Sequence, residues 1–210
     1  MRLIAAHELS QALGPAKCLA LPVFHCLTGC DTTSSFGGKG KKTGWEAWNA
    51  YPVVTEAFLN LSSADDCLDD ATLSVLERFI IIMYDRTSQC IDLNTARMNL
   101  FTKKSRSLEL LPPTSDAFLQ HVKRSIYQAV HCWGHCLEKQ VKVLDPGDWG
   151  WTKNGNGWVP LWMTIPEVSK ICRELIHCSC KKGCLGRCKC VKANLVCTAL
   201  CQCDGECVRE

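Results

Sequence analysis

Apolar residues recur every three or four positions along most of the first 140 residues, a spacing typical of amphipathic helices. Gly14-Pro15 ends the first such stretch, and Pro112-Pro113-Thr114 begins the last long one. The sequence therefore predicts a mainly α body. The predicted helices are Arg2–Leu13, Lys17–Leu27, one carrying Trp45 and Trp48, Pro52–Leu61, Asp69–Tyr84, Asn94–Lys104, Thr114–Leu137 and Glu167–Ile176.

The helical spacing breaks down between Leu144 and Pro166, where Pro, Gly and Asn accumulate and turns are predicted. Four tryptophans lie there: Trp149, Trp151, Trp158 and Trp162. They could stack on single-stranded bases, as aromatic platforms do. Packing against the helical body is favoured instead, because Lys153 is the only basic residue among them.

The C-terminal stretch from Cys178 to Cys207 contains nine cysteines in thirty residues and few large apolar side chains. Such a segment cannot bury a core that offsets its ordering entropy, so covalent bonds or metal ions must hold it. Two cysteines one residue apart rarely bridge each other, but their thiolates can converge on metal ions. We therefore predict a small irregular zinc module with these ligands: Cys178, Cys180, Cys184, Cys188, Cys190, Cys197, Cys201, Cys203 and Cys207.

The number of cysteines indicates how many ions they hold. Tetrahedral zinc needs four ligands, so two separate sites would leave one of the nine thiols unused. Three ions need twelve bonds, which nine thiolates supply if three bridge and six are terminal. The sequence thus predicts about three zinc ions with a formal cluster charge of −3. Basic residues more than offset that charge: Lys181, Lys182, Arg187, Lys189 and Lys192.

This stretch resembles the tesmin-type CXC domain, a zinc module that binds DNA. The resemblance covers the order C-x-C, C, C-x-C, C, C-x-C, C and the Lys-Lys after the first pair. It implies that the five basic residues named above contact DNA. Where many members carry a tyrosine that enters the minor groove, this chain has Arg187, a residue that also suits a narrow A·T-rich groove.

Two other interpretations of the tail stay open. A disulfide scaffold is disfavoured by the odd total of 17 cysteines and by a start that resembles no secretory signal. A zinc module that binds protein instead of DNA is the second alternative. The cysteine usage predicts a reducing compartment, so we expect a nuclear or otherwise cytoplasmic protein that is not secreted.

A glycine-rich basic loop, Phe36–Trp45, lies between two predicted helices and contains Lys39, Lys41 and Lys42. It is not a Walker A loop, because Gly40 is followed by Lys-Lys-Thr. Exposed amides next to a helix N-terminus suit an anion. A phosphate of the DNA backbone is the expected ligand of the three lysines.

The order Leu-x-Gly-Cys-Asp followed by Gly-x-Gly-Lys-Lys resembles flap-endonuclease or PIN-like nucleases. That resemblance implies that Asp31 is a Mg²⁺ ligand. Two-metal hydrolysis needs several convergent carboxylates, and only Asp31 stands at a motif position. The missing acids are expected before Met1, in a longer nuclease-like protein; alternatively, Asp31 only caps a helix.

Two segments, Phe24–Phe36 and Tyr84–Ser88, also resemble large transposon-like proteins that end in the same cysteine-rich tail.

A further candidate set, His131, His135, Cys132 and Cys136, has the i, i+4 spacing of a helical zinc pair. Plain packing is favoured for it, because apolar neighbours surround the four residues.

Charge and length complete the prediction. The net charge of +3 means that DNA affinity must come from local patches. The longest apolar run, Phe79–Met83, is far shorter than a membrane span. Four regions are predicted: a truncated PIN-like remnant (1–60), a helical region (61–143), a Trp-rich loop with a docking helix (144–177) and the zinc module (178–207).

The predicted function is zinc-dependent DNA binding through the tail, in a transposon-derived protein that is not catalytic alone. An active nuclease completed by sequence outside this chain is one alternative. A zinc-stabilised adaptor that binds proteins is the other. Protein partners cannot be predicted from these residues.

Overall fold

The computed structural model describes residues 5–63, 68–103, 110–140, 144–164, 178–180, 184, 188–192, 196–197 and 201–203. The chain divides into two compact units, residues 1–164 and residues 165–210. The described residues of the first unit are mainly helical, with one two-stranded sheet among them. The second is rich in cysteine. The predicted fold class, a mainly α body followed by a small cysteine-rich module, is confirmed.

In the part of the chain that the structure describes, six helices lie in the first unit and a short seventh lies in the second. The helices are α1 (Ala6–Leu27), α2 (Lys41–Ala50), α3 (Val54–Ser63), α4 (Asp70–Tyr84), α5 (Leu93–Lys103), α6 (Ser115–Ile126) and α7 (Lys189–Lys192). A π-helical turn covers Tyr127–Cys132 and a 3-10 turn covers Pro146–Trp149. The strands are β1 (Trp151–Asn154) and β2 (Gly157–Pro160). The predicted helix Glu167–Ile176 lies outside the described residues.

Local sequence signals explain most helix ends. Gly14 has a φ of 76° and interrupts α1 where Gly-Pro predicted a break. The Asp69 carboxylate accepts from the Thr72 amide at the start of α4. The Thr114 hydroxyl accepts from the Ala117 amide at the start of α6. These predicted beginnings are therefore confirmed to within a residue or two.

The last long helix ends earlier than its apolar spacing predicts. We expected it to reach Leu137, but α6 stops at Ile126 and a π-helical turn follows. In that turn the Trp133 amide donates to the Gln128 carbonyl, five residues back. Gly134, a weak helix former, then lets the chain leave the helix in turns.

The core of the first unit is built mainly from α1, α2, α3, α4 and α6. Phe24, Trp48, Phe58 and Phe79 form a continuous aromatic row, with successive ring centroids 4.9 to 5.5 Å apart. Trp48 and Phe58 meet edge to face, as do Phe58 and Phe79, which is the favoured geometry for aromatic pairs. The indole Nε1 of Trp48 donates to the Thr55 hydroxyl at 2.9 Å, so this buried donor is satisfied.

The two-stranded antiparallel sheet is not among the predicted elements. Asn154 pairs with Gly157, so Gly155 and Asn156 form a two-residue loop, and Gly155 has a φ of 58°. Positive φ at such positions favours glycine and asparagine. The Asn-Gly-Asn-Gly sequence was therefore the signal for this hairpin.

The tryptophans of this region differ in burial. Trp149 packs against the core, as predicted. Trp158 is 39% exposed and Trp162 is 61% exposed. Lys153, the cross-strand partner of Trp158, places its ammonium 5.3 Å from the Trp158 ring centroid. The two exposed indoles belong to the hairpin and the segment that follows it.

Candidate metal centre

The described cysteines of the second unit form a core of their own. Six of them are buried: Cys178, Cys184, Cys188, Cys190, Cys197 and Cys201. Cys180 and Cys203 are half-buried and pack against these six. The only other apolar side chain described in this core is that of Val191. Sulfur thus takes the place that aliphatic side chains fill in the helical unit.

The distances between these sulfur atoms fit metal coordination. Cys178 Sγ lies 3.5 Å from Cys184 Sγ, 4.0 Å from Cys197 Sγ and 3.6 Å from Cys203 Sγ. A disulfide would need about 2.05 Å. Four thiolates around one zinc at about 2.3 Å are about 3.8 Å apart, which is the middle of the observed range. These cysteines could therefore hold metal.

The sulfur atoms belong to three overlapping groups. Each group has four sulfurs within 4.8 Å of one another: Cys178, Cys180, Cys184 and Cys188; Cys178, Cys188, Cys190 and Cys197; and Cys178, Cys197, Cys201 and Cys203. Cys178 occurs in all three, and Cys188 and Cys197 each occur in two. Cys184 Sγ also lies 3.5 Å from Cys197 Sγ, so the groups are not spatially separate.

The protonation of the thiols follows their surroundings. The Val191 amide donates to Cys188 Sγ and is the main cause that lowers the pKa of Cys188 to about 6. Burial raises the pKa of Cys190 to about 11 and contributes most to raising that of Cys180 to about 11. Thiolates bind metal and thiols do not, so binding by this cluster must release protons.

Two of the predicted DNA-binding residues of the tail are described. Lys189 and Lys192 are the first and last residues of α7, and both are exposed. Cys190, between them, is fully buried. This turn therefore directs sulfur inward and ammonium groups outward. The predicted site residues Lys181, Lys182, Arg187 and Cys207 lie outside the described residues.

The glycine-rich basic loop leads into α2, and Lys41, the first residue of α2, is hydrogen-bonded to acceptors of the protein itself. The Lys41 ammonium donates to the carbonyls of His25 and Gly29, the latter at 2.6 Å, and to the Thr28 hydroxyl at 2.8 Å. Burial lowers the pKa of Lys41. Its ammonium therefore caps the C-terminal end of α1, where carbonyl groups lack helical partners.

The neighbouring lysines of this loop are placed differently. The Lys39 ammonium lies 5.4 Å from the Tyr84 ring centroid, and Lys42 is exposed. Lys42 is thus the lysine of this loop that points into solvent. DNA contact by Lys39, Lys41 or Lys42 stays a prediction.

Because Lys41 caps the end of α1, replacing it should destabilise the protein more than replacing its neighbour Lys42. Replacing Lys41 by Met should lower the free energy of unfolding by about 2 kcal/mol, because three acceptors lose a charged donor. Lys42→Met is the matched control and should change it by less than about 0.5 kcal/mol. Urea unfolding followed by tryptophan fluorescence measures both, and equal effects would contradict the capping role.

Asp31 is exposed in the loop after α1. Two other acids of this part of the chain lie on helices: Glu8 on α1, and Glu46 on α2 in an ion pair with Arg86 at 2.5 Å. Within the described residues, every group of three or more potential metal ligands belongs to the cysteine tail. Asp31 as a Mg²⁺ ligand in a longer protein stays a prediction.

The His-Cys set after α6 lies in the π-helical turn and the turns that follow it. The rings of His131 and His135 are nearly parallel, with centroids 6.3 Å apart. His135 Nδ1 lies 2.7 Å from a Glu138 carboxylate oxygen, and His131 packs on Trp149. Cys132 and Cys136 are exposed. The contact of His131 with Trp149 fits the buried packing that the sequence favoured, whereas the exposure of Cys132 and Cys136 shows that this expectation was wrong for the two cysteines.

Two polar residues of α6 were missed at the sequence level. His121 and Arg124 are buried, although residues of their kind are usually exposed. His121 Nε2 donates to the Leu27 carbonyl, and Arg124 donates to the carbonyls of Gly150 and Leu161. They connect α6 to the end of α1 and to the hairpin. No local motif marks such residues, since their partners are 26 to 94 positions away.

None of the described helices has both the length and the apolar character needed to cross a membrane. Comparison with protein-family models, with curated proteins and with solved structures found no match to this chain. The resemblances to CXC domains, PIN-like nucleases and transposon-derived proteins therefore rest on the quoted residues alone.

Proposed function

We propose that this chain is a zinc-dependent DNA-binding protein that contacts DNA through its cysteine-rich tail. The observation that carries the proposal is the overlap of the three sulfur groups. Separate zinc sites would use separate sets of four thiolates, whereas shared thiolates are what a cluster of several ions requires. A cluster of this kind would also hold together a segment that has few large apolar side chains.

The recurrence of particular cysteines suggests how the ions are arranged. We assign Cys178, Cys188 and Cys197, which occur in more than one group, as bridging ligands. Each of three ions then has two bridging and two terminal thiolates. Within the described residues the terminal pairs are Cys180 with Cys184 and Cys201 with Cys203, and Cys190 is a terminal ligand of the remaining ion. If Cys207, the ninth ligand predicted from the sequence, is the other terminal ligand, nine thiolates supply all twelve bonds.

Charge supports DNA as the partner of this cluster. Nine thiolates and three zinc ions carry −3, and Asp204 and Glu206 carry −2, so the five basic residues bring the segment to neutrality. All five basic residues precede Asp204, so the positive charge is concentrated in one part of the segment. Lys189 and Lys192 are exposed one turn apart, as phosphate contacts require. Binding would be largely independent of sequence, because backbone phosphates are the same at every base pair. Nuclear location and origin from a transposon-encoded protein are parts of the same proposal and rest on the resemblances.

Salt dependence tests this function. Replacing both Lys189 and Lys192 by Ala should lower the slope of log K against log salt by about two units, since each lost phosphate contact removes about 0.9. Affinity for A·T-rich and G·C-rich duplexes should fall together. Fluorescence anisotropy with the zinc-loaded full chain over a salt series measures both effects.

The control for this experiment is Lys139→Ala, which removes an exposed lysine of the helical unit. It should leave the salt slope within about 0.3 units. Unchanged DNA binding in the Lys189/Lys192 double variant, with zinc still bound, would contradict DNA contact by this face. The protein-binding interpretation of the tail would then be preferred.

A further inference from the structure

Arg124 is a buried cation in the last turn of α6, only 3% exposed. Its Nη1 donates to the Gly150 carbonyl at 2.8 Å and to the Leu161 carbonyl at 2.6 Å. No ion pair within the described residues involves Arg124. Burial lowers its pKa, which reflects the cost of placing a charge away from water. Buried charges in proteins are usually paired with an opposite charge. Among the described residues this guanidinium has no such counter-ion.

The guanidinium lines a cavity of about 180 Å³ in the helical unit. Ser34 and Ser35 contribute from the loop after α1, Ala117 from α6, and Trp162 from the segment after the hairpin. The Trp162 ring centroid lies 5.5 Å from Arg124 Cζ, so this indole helps to fix the guanidinium. Both protein carbonyls are bonded to Nη1. The Nε and Nη2 groups have no acceptor within the described residues, and together they form the edge that pairs with oxyanions.

The rest of the cavity wall carries no negative charge. His121 Nε2 lies 2.8 Å from the Leu27 carbonyl oxygen and must donate to it, because that oxygen only accepts. Nδ1 of the neutral ring then accepts from the Ser34 hydroxyl at 3.4 Å. Burial, assisted by the charge of Arg124, lowers the pKa of His121 to about 4, so the ring is neutral near pH 7. Ser35, an exposed residue of the cavity wall, carries a further hydroxyl donor.

We propose that this cavity binds a phosphate group, with the Arg124 guanidinium as its counter-ion and the Ser35 hydroxyl as a further donor. The guanidinium edge offers two donors and the Ser35 hydroxyl, on a separate loop, offers a third, while Phe36, Pro113 and Met163 make much of the remaining wall apolar. Donors from two separate elements suit a tetrahedral oxyanion. The volume holds one phosphate with a small substituent and excludes a whole nucleotide. This site lies in the helical unit and does not depend on zinc or on DNA binding by the tail.

Calorimetry with the zinc-loaded full chain tests the site, with inorganic phosphate as the probe at low ionic strength and pH 7. We expect one saturable site in the unmodified protein. Arg124→Lys keeps the charge but loses the two-donor edge, and should weaken phosphate binding at least tenfold. Ala117→Leu should fill the cavity while leaving the contacts between Arg124 and the two carbonyls in place. It should likewise weaken phosphate binding at least tenfold.

Two matched controls accompany these variants. Arg78→Lys alters another arginine that donates to a carbonyl, and Ala71→Leu enlarges an exposed alanine on α4. Both should bind phosphate within twofold of the unmodified protein. If Arg124→Lys fails to fold, Ala117→Leu decides the outcome. Absence of saturable binding in the unmodified protein, or binding within twofold of it in Ala117→Leu, would overturn the proposal.

A competition experiment separates the sources of the phosphate group. A 5′-phosphorylated dinucleotide that displaces inorganic phosphate would identify the end of a nucleic acid strand as a ligand. Binding of inorganic phosphate and ethyl phosphate without displacement by the dinucleotide would identify small phosphates instead. Either result supports a phosphate site at Arg124.

Discussion

Replacing Cys197 by Ser should lower the zinc content of the protein from about three ions to about one. Cys197 is assigned as a bridging ligand, so its loss removes one of four thiolates from two ions at once. Cys180→Ser should instead leave about two ions, because Cys180 is a terminal ligand of one. Elemental analysis of protein purified under reducing, non-chelating conditions measures the difference.

Cys18→Ser provides the control for these variants, since Cys18 lies on α1 in the other unit. It should keep about three ions. Equal zinc loss in Cys197→Ser and Cys180→Ser would contradict the assignment of bridging and terminal ligands. Zinc would then be held in some other arrangement of the same cysteines.

The free energy of unfolding of the helical unit should fall by up to about 3 kcal/mol between pH 7 and pH 4 because of His121 alone. Burial lowers the pKa of its ring to about 4 in the folded protein, from an ordinary value of 6.5. Between these values the unfolded chain binds a proton that the folded chain does not. Stability therefore rises with pH in this window and is lost as pH falls through it.

Urea unfolding at several pH values measures this effect. All seven tryptophans lie before residue 165, so their fluorescence reports on the helical unit. The variant His121→Gln has no titrating group at this position. Its free energy of unfolding should therefore fall much less between pH 6.5 and pH 4, since most of the expected loss of about 3 kcal/mol should be absent. His7→Gln, at an exposed position on α1, should keep the dependence of the unmodified protein. If the free energy of unfolding depends on pH in His121→Gln as strongly as in the unmodified protein, the buried neutral state of the ring would be contradicted.

The helices of the first unit could be predicted because their signals are local. Apolar spacing identified α3, α4 and α5, and the caps at Asp69 and Thr114 located two of the beginnings. The hairpin was missed because its strands are mostly exposed and lack the alternation of buried strands. The early end of α6 was missed because a π-helical turn leaves no mark in apolar spacing.

The candidate metal cluster could be located from sequence because cysteine spacing implies convergence of the thiolates. Which sulfur atoms are shared could not be predicted, since that depends on how the chain folds back. Cys178 and Cys203 are far apart in sequence, yet their sulfur atoms lie 3.6 Å apart. The roles of Lys41, His121 and Arg124 likewise depend on distant carbonyl groups and have no sequence signal.

Native mass spectrometry of the full chain, purified with zinc under reducing conditions, tests the zinc cluster most directly. The expected mass exceeds that of the metal-free chain by three zinc ions, less the protons that the thiolates release on binding. Acidification should remove the zinc as protons compete for the thiolates. A protein that holds two ions or fewer at saturating zinc would contradict a cluster in which nine thiolates share three ions.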